Sequence, residues 1–495
     1  MKECFLLFLI SIIALLFRSL FFPDNVYFGY DQARDSFSSI EILKGGFKII
    51  GPPSSLHDNL FHGPLIYYIY APIYLLFNNN PEAVSFIFRL MNASGLFLVY
   101  IIASNVFNKK VGLIAAFLFA ISYEQSQYSL FFSHPSLAVL TVLLYYLGLS
   151  LLLFRKNPKG LLLALLGIGL SIQFHFVNLL LFVGFFISLI YFYTDFKILK
   201  KRLLLLSLMI FLFSVSTFLI AEYKFHFRQF KALAELNSSF TFTMIPQVSI
   251  RSIHDNFVSD KQMVMLLSFI LAGVATVILI NKSFRKQAVF LVIWFFTGLV
   301  PYLSGTTSYY HNPATSVSLI IFLSLIINWI LKKNILIGLG LMLFITVSNI
   351  NLILNQNMKG PNKDFVIQPG LLISDEKKVI DFCYSKAQGR DFALNGLTIP
   401  LYINTTWSYL FEWYGKQKYH YLPVWGGKAA EGFAGNLRKI SKRSDLPLDQ
   451  CLIIEPTVGI SEHDKNDFFR EESYFSQIVE QTQFGTITVQ YRRRI

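Results

Sequence analysis

Two acidic residues that could take part in catalysis follow the first apolar segment of the chain. Asp31 and Asp35 are one helical turn apart, and Arg34 lies between them. The apolar residues of this stretch form the opposite stripe of a helical wheel: Ala33, Phe37, Ile40 and Leu43. A carboxylate presented in this way can act as a general base. The same spacing also fits a plain surface helix in which Asp31 is the N-cap and pairs with Arg34.

Basic residues that could hold a phosphate lie further along the chain. Lys224, Arg228 and Lys231 have the spacing i, i+4 and i+7, which puts them on one face of a continuous helix. Such a face fits either a phosphate site or a helix whose cations meet lipid headgroups. Arg34 is the other candidate for a phosphate ligand.

Aromatic and histidine residues mark two more candidate contacts with substrate. His62 and Tyr67 lie in an apolar stretch interrupted by prolines, which predicts a helix at the membrane interface beginning at residue 64. Tyr310 and His311 directly precede another apolar segment. An aromatic belt followed by a turn explains the same residues without any contact with substrate.

Six histidines recur near the outer ends of apolar segments: His62, His134, His175, His226, His254 and His311. No two of them have the spacing of a metal-binding motif, so the sequence establishes no cofactor. If a divalent ion is bound, His175 is the predicted ligand. The reason is its expected burial at the end of a membrane segment. The alternative is that these histidines are polar residues that simply face the helix bundle.

The composition is that of a membrane protein. Of 495 residues, 54% are hydrophobic and only 15% are charged, whereas soluble domains carry about 25% charged residues. The mean hydropathy is +0.52. The formal net charge is +14, but Lys and Arg are concentrated in short runs between apolar segments. That is the positive-inside pattern, and it excludes a nucleic-acid-binding surface.

Spanning a bilayer takes about 20 apolar residues, and eleven segments are candidates: 5–22, 86–107, 111–128, 137–154, 160–174, 176–193, 203–221, 263–280, 288–303, 315–331 and 335–354. With the N-terminus inside, five short basic loops are cytoplasmic: 108–110, 155–159, 197–202, 282–286 and 332–333. The first long loop and the tail after residue 355 then face outward.

The predicted fold is an all-α membrane domain, residues 1–358, followed by a small extracytoplasmic α/β-type domain, residues 359–495. Interfacial helices occupy the first outer loop, 23–85. In the tail, helix-start residues at 374–376 and strand-like runs at 451–454 and 486–491 support the mixed domain. Cys383 and Cys451 share this domain, and the sequence leaves their pairing open.

These elements in this order resemble the C-type superfamily of integral membrane glycosyltransferases. The nearest resemblance is to glycosyltransferase family 39, which includes protein O-mannosyltransferases and the aminoarabinose transferases of lipid A. The shared pattern covers residues 5–221 and, more loosely, the later helices. The family's Asp-Glu pair reads Asp31-Gln32 here, and its Lys-Pro-Pro-Leu element reads His62-Gly63-Pro64-Leu65.

The resemblance implies an inverting transferase that takes a sugar from a polyprenyl-phosphate donor on the outer face of the plasma or inner membrane. Asp31 falls on the family's catalytic aspartate, and Asp35 is the one residue that could replace the missing second acid. The implied partners are the lipid-linked donor, a lipid, glycan or protein acceptor, and membrane lipids. The sequence does not identify the sugar or the acceptor.

Two other functions fit the same composition. An O-antigen polymerase or ligase also uses lipid-linked glycans, but these enzymes have a large outer loop in mid-chain, whereas the longest internal loop here is the first. A transporter or flippase is favoured by charged residues in mid-membrane and by broken helices in matching halves. Arg18 is the main ionisable residue in the predicted spans, and it lies near an end.

Overall fold

The computed structural model describes residues 2–54, 56–235, 241–280, 284–306, 308–428, 432–435, 437–440 and 442–495. Part of the predicted basic loop 282–286 is outside these residues. The α-helices are α1 (Lys2–Ser19), α2 (Tyr30–Leu43), α3 (Leu65–Leu76), α4 (Pro81–Val106), α5 (Lys109–Ile121), α6 (Tyr123–Leu130), α7 (His134–Phe154), α8 (Gly160–Phe174), α9 (Leu181–Tyr191), α10 (Tyr193–Phe196), α11 (Lys201–Ser214), α12 (Ser216–Lys224), α13 (Arg228–Glu235), α14 (Met244–His254), α15 (Lys261–Ile280), α16 (Arg285–Leu299), α17 (Ser316–Lys333), α18 (Ile335–Gln356), α19 (Ile373–Ala387), α20 (Thr405–Leu410), α21 (Lys416–Tyr419) and α22 (Glu462–Phe475).

Shorter helical turns join these elements. Turns of 3-10 helix lie at Phe176–Leu180, Val300–Ser304, Tyr309–His311, Asn357–Lys359 and Arg443–Asp445, and a π-helical turn lies at Phe411–Gly415. The strands are β1 (Phe392–Leu397), β2 (Val424–Trp425), β3 (Asp449–Ile454), β4 (Ser476–Phe484) and β5 (Ile487–Arg494). The predicted combination of apolar helices and a small mixed C-terminal region is therefore present.

Among the described residues, six helical stretches are long and apolar enough to cross a membrane: Pro81–Val106, His134–Phe154, Lys261–Ile280, Arg285–Ser304, Ser316–Lys333 and Ile335–Lys359. The helices Lys201–Ser214 and Ser216–Lys224 meet at 58° and would add a seventh span if they act as one. The predicted segments 160–174 and 176–193 form shorter apolar helices. The predicted span 111–128 is not one helix, because Ser122 ends α5 and caps α6.

The chain forms two compact units. The first contains residues 1–20, 48–66 and 86–355. In it α7 and α8 pack closely through glycines. A Cβ on Gly148 would lie 2.4 Å from Ala164 N, and a Cβ on Gly160 would lie 2.3 Å from Gly148 O. Small residues at this contact let the two backbones approach, which is a common means of helix association in membranes.

A buried arginine fixes the end of α5 in the same unit. Arg18 donates from Nη1 to Ala120 O (2.8 Å), from Nη2 to Phe119 O (3.2 Å) and from Nε to Asn92 Oδ1 (2.6 Å). Ala120 and Phe119 contribute carbonyl groups at the C-terminus of α5, where positive charge is favourable. Arg18 thereby holds the break at which α6 begins.

The second unit contains residues 21–47, 67–85 and 356–495. Its sheet has the order β2-β1-β3-β5-β4, in which β1 is parallel to β2 and β3, and β5 is antiparallel to β3 and β4. The predicted strands 451–454 and 486–491 correspond to β3 and β5, and the predicted helix start corresponds to α19. Cys383 and Cys451 form a disulfide that joins α19 to β3.

Helices of the first outer loop are also part of the second unit. The Ser36 hydroxyl of α2 lies 2.5 Å from the Tyr74 hydroxyl of α3. Tyr409 of α20 packs its ring 5.3 Å from that of Phe37 and donates its hydroxyl to Asn79 O over 2.7 Å. These contacts fix α2, the helix that carries Asp31 and Asp35.

Candidate active site

The helix α2 begins as the sequence predicts but with another residue as its cap. Gly29 is the N-cap, and its backbone N–H donates to the Gln32 side chain over 3.2 Å. The interpretation of Asp31 as N-cap is therefore wrong. The Gln32 side chain, which stands where the family has its second acid, thus accepts a hydrogen bond from a backbone N–H group at the start of the helix. At the other end, Gly45 adopts φ 90°, a conformation that glycine accepts and that stops the helix.

Both aspartates of α2 share one arginine. Arg34 donates from Nη1 to Asp31 Oδ1 (2.7 Å) and from Nε to Asp35 Oδ1 (2.9 Å). The Asp31 side chain remains 49% exposed, whereas that of Asp35 is 1% exposed. Asp35 Oδ2 is buried and has no hydrogen-bond partner among the described residues. The arrangement presents one carboxylate to the surroundings and keeps the other inside the unit.

Burial raises the pKa of the Asp35 carboxyl to about 7, and Asp31 adds to the shift while Arg34 opposes it. Tyr67 of α3 is buried next to this group. Burial raises the pKa of its hydroxyl as well, and the charge of Asp35 contributes to the shift. Arg34 also lies over the ring of Tyr30, with 5.6 Å from Cζ to the ring centroid. The predicted residues Asp31, Arg34, Asp35 and Tyr67 are thus brought together.

The predicted apolar stripe of α2 is only partly buried, and polar residues of the helix are buried beside it. Asp35, Ser36 and Ser39 are fully buried, whereas the Leu43 side chain is exposed. Polar groups can be buried here because they have partners: Arg34 pairs with Asp35, and the Tyr74 hydroxyl bonds to Ser36. A polar inner face suits a reacting site better than it suits an ordinary core.

Four of the six predicted histidines come together in the first unit. The ring centroids of His62 and His175 are 4.5 Å apart, and that of His134 lies 4.4 Å from His62. His311 is T-shaped to His175 at 5.2 Å, and the ring of Tyr310 is 5.7 Å from that of His175. Burial lowers the pKa of His311 to about 4, so its ring is neutral at pH 7. His134 is the member to which the sequence assigned no role in binding.

Backbone contacts fix the loop that carries His62. Gly63 N donates to Gln173 O at the end of α8 (2.9 Å), and Gly51 N donates to His62 O (3.0 Å). A Cβ on Gly63 would lie 2.8 Å from the Cα atom of Gln173, so this close approach of the two backbones favours glycine. The loop therefore lies against the residue that precedes His175 by two positions.

The predicted basic face at 224–231 is not continuous. α12 ends at Lys224, His226 and Phe227 adopt φ 54° and 60°, and α13 begins at Arg228. Lys224 and Arg228 are both exposed, but they belong to different helices, and the prediction of one helical face is wrong. Phe61 N donates to the Gln229 side chain over 3.0 Å, which places α13 next to the loop of His62.

Glu124 is a buried acid that was not among the residues predicted from the sequence. It lies on α6, accepts a hydrogen bond from Asn256 Nδ2, and is 1% exposed. Burial raises the pKa of its carboxyl to about 7; Asp255 adds to the shift, and Ser316, Asn256 and Arg251 oppose it. An acidic residue inside an otherwise apolar segment was the available signal.

Comparison with known proteins agrees with this architecture. The family model for dolichyl-phosphate-mannose-protein mannosyltransferase matches residues 61–220, about a third of the chain. The matched stretch contains His62, His134, His175 and Glu124, and it begins after Asp31. No curated protein sequence matches the chain.

Solved structures share the fold over nearly the whole chain. The structure of ArnT from Cupriavidus metallidurans bound to undecaprenyl phosphate superposes with a TM-score of 0.63 and 10% identity, covering 98% of this chain and 97% of that one. The oligosaccharyltransferase of Archaeoglobus fulgidus in its apo form gives 0.55 and 13%, covering 85% of this chain and 64% of its own. The same enzyme tethered to an acceptor peptide gives 0.52 and 12%, with coverages of 80% and 61%. The chain therefore has the fold of C-type membrane glycosyltransferases.

Proposed function

We propose that this chain, a membrane glycosyltransferase of the C-type fold, transfers a sugar from a polyprenyl-phosphate donor to an acceptor on the outer face of the membrane. The observation that carries the proposal is the half-exposed Asp31 carboxylate, held by Arg34 on a helix whose inner face is polar. The acceptor is a lipid, a glycan or a protein, and the anomeric centre is inverted.

In the proposed reaction, the acceptor hydroxyl oxygen forms a bond to the anomeric carbon while the bond from that carbon to the lipid phosphate breaks. The hydroxyl proton passes to Asp31, and the electron pair of the broken bond leaves with the phosphate. Phosphate is a good leaving group, so a second carboxylic acid is not needed to protonate it, unlike in glycoside hydrolysis. One accessible carboxylate is sufficient.

Asp35 has a different part in this proposal. Its carboxylate holds Arg34 from inside the unit, and Arg34 in turn orients Asp31. Asp35 is therefore a positioning residue. Gln32, at the position of the second family acid, is also buried, and the replacement of that acid by Asp35 stays a prediction.

The departing phosphate needs positive charge or hydrogen-bond donors. Arg34, Lys224 and Arg228 remain the proposed partners, together with His62, Tyr310 and His311 as hydrogen-bonding contacts. Of Lys224 and Arg228, the second is the stronger candidate, because Gln229 on the same helix, α13, accepts a hydrogen bond from the loop that carries His62.

Two features support an outward orientation for the tail. The predicted basic loops fall on one side of the chain, which by the positive-inside rule is the cytoplasm. The Cys383–Cys451 disulfide suits an oxidising compartment, since cytosolic thiols are kept reduced.

The test is transfer of labelled sugar from a polyprenyl-phosphate donor by the purified protein in nanodiscs. Product formation that requires Asp31 supports the proposal. Absence of transfer across lipid-linked donors, with folded protein, would argue against it.

A further inference from the structure

We propose that His62, His134 and His175 bind one divalent transition-metal ion. Each residue offers one ring nitrogen, and these nitrogens all lie within 4.8 Å of one another. The three side chains come from separate parts of the first unit: the loop 48–66, the first turn of α7, and the junction that follows α8. Their convergence is produced by the tertiary fold and not by local spacing.

The convergence needs an explanation beyond ring packing. All three residues are buried, with 5%, 8% and 4% of their surface exposed for His62, His134 and His175. His175 Nδ1 is buried and has no hydrogen-bond partner among the described residues. A buried polar atom without a partner is costly, and coordination of a cation satisfies it.

The surrounding backbone is arranged to bring the rings together. The close approach of the loop of His62 to α8 favours glycine at residue 63. His134 opens α7 directly after Ser133, whose hydroxyl is 3.3 Å from His134 Nδ1. A hydrogen bond from that nitrogen to a neighbouring oxygen is a usual way in which a ligand histidine is oriented.

The donor set selects the kind of metal. Three neutral imidazoles without a carboxylate suit Zn²⁺, Co²⁺, Ni²⁺ or Cu²⁺, whereas Mg²⁺ and Ca²⁺ prefer oxygen ligands. With metal–nitrogen bonds of about 2.0–2.1 Å, tetrahedral ligands are roughly 3.3 Å apart. The two nitrogens that lie furthest apart, at up to 4.8 Å, therefore move closer together by roughly 1.5 Å when the metal binds. Phe176 N donates to His62 Nδ1 over 3.2 Å, and this long hydrogen bond is lost on coordination.

Three protein ligands leave one coordination position for a water or an anionic oxygen. His311 and Tyr310 lie next to His175 and border the group. If the proposed transferase function holds, the phosphate of the lipid donor is the anion of matching chemistry. Metal binding itself does not depend on that function.

The experiment measures binding without any sugar donor. Full-length protein in nanodiscs is stripped with a chelator and titrated with Co²⁺, whose visible absorption reports its ligands. We expect saturation at one equivalent, displacement by Zn²⁺, and no displacement by a large excess of Mg²⁺. His134→Gln and His175→Gln should each weaken binding by at least about 100-fold. His463→Gln, whose side chain is 83% exposed in the second unit, is the matched control and should bind as wild type.

Cobalt binding that is equal in wild type and in His175→Gln would overturn the proposal, as would displacement by Mg²⁺. If His175→Gln does not fold, thermal unfolding of wild type and His134→Gln decides the matter. Zn²⁺ should raise the Tm of the wild type and leave that of His134→Gln unchanged; an unchanged wild-type Tm refutes the site. Because neither measurement uses sugar transfer, failure here is separate from failure of the proposed activity.

Discussion

Asp31 and Asp35 pair with the same guanidinium group but differ in burial. The Asp31 side chain is half exposed, and the Asp35 side chain, one helical turn later, is buried. Arg34 joins them over 2.7 Å and 2.9 Å. Two carboxylates of one sequence motif thus have different chemistry available to them. The first can exchange a proton with a bound molecule, whereas the second can act only on its neighbours.

Asp31→Asn should lower turnover by about 10²–10⁴-fold, because asparagine cannot accept the acceptor's proton. The thermal stability should stay near wild type, since an exposed ion pair contributes about 0–1 kcal/mol. The measurement is labelled-sugar transfer together with a thermal unfolding curve. Full activity in this variant would show that Asp31 is not the general base.

Asp35→Asn should change how stability depends on pH. The folded-state pKa of Asp35 is about 7, above the ordinary value of 3.8, so the folded protein holds this proton more tightly than the unfolded chain. Wild-type stability should therefore fall relative to the variant as pH rises from about 4 to 7, and level off above that. Tm measured for both proteins at several pH values tests this; a difference that is constant across the range would show that Arg34 keeps Asp35 ionised throughout.

Arg228→Ala should raise the apparent donor constant by about tenfold, the effect of losing a charge-assisted contact of roughly 1.4 kcal/mol. Lys201→Ala is the matched control, since it removes an exposed positive charge from the predicted cytoplasmic loop at the start of α11. Donor titrations with both variants give the comparison. An unchanged donor constant in Arg228→Ala would assign Arg228 to lipid headgroups.

The disulfide should stabilise the second unit. Cys383→Ser with Cys451→Ser should lower stability by about 2–4 kcal/mol, because the closed loop no longer restricts the unfolded chain. Alkylation followed by mass spectrometry, with and without reductant, shows whether the thiols are paired. Free alkylation of both cysteines without reductant would contradict the pairing.

A reporter at the C-terminus tests the orientation. A phosphatase fused after Ile495 should be active and a fluorescent protein there should be dark, since the basic loops place the tail outside. The reverse pattern would mean that the number of spans differs by one from the predicted topology.

Local elements could be predicted from the sequence, and tertiary convergence could not. The spacing of apolar residues and Gly45 were enough to predict α2, and residues 62–72 were enough to predict a helix close to α3. The burial of Asp35 depends on Arg34 and on the Ser36–Tyr74 contact, neither of which shows in a helical wheel. The break between Lys224 and Arg228 was missed because no proline or glycine marks it.

The histidine group shows the same limit. His62, His134 and His175 are far apart in sequence, and their approach depends on the glycine contact between the first loop and α8. The sequence left the pairing of Cys383 and Cys451 undecided for a similar reason, because it depends on strand β3 and helix α19 lying beside each other.

The contact of Tyr409 with α2 has a consequence for shortened forms of the protein. A chain that stops near residue 355 keeps Asp31 but loses α20, so the rings of Phe37 and Tyr74 lose the aromatic residue that packs against them. The helix that presents Asp31 would then lack part of its own core. The tail is therefore a structural component of the unit that presents the proposed base, and deletion of the tail should abolish transfer even if every membrane span remains intact.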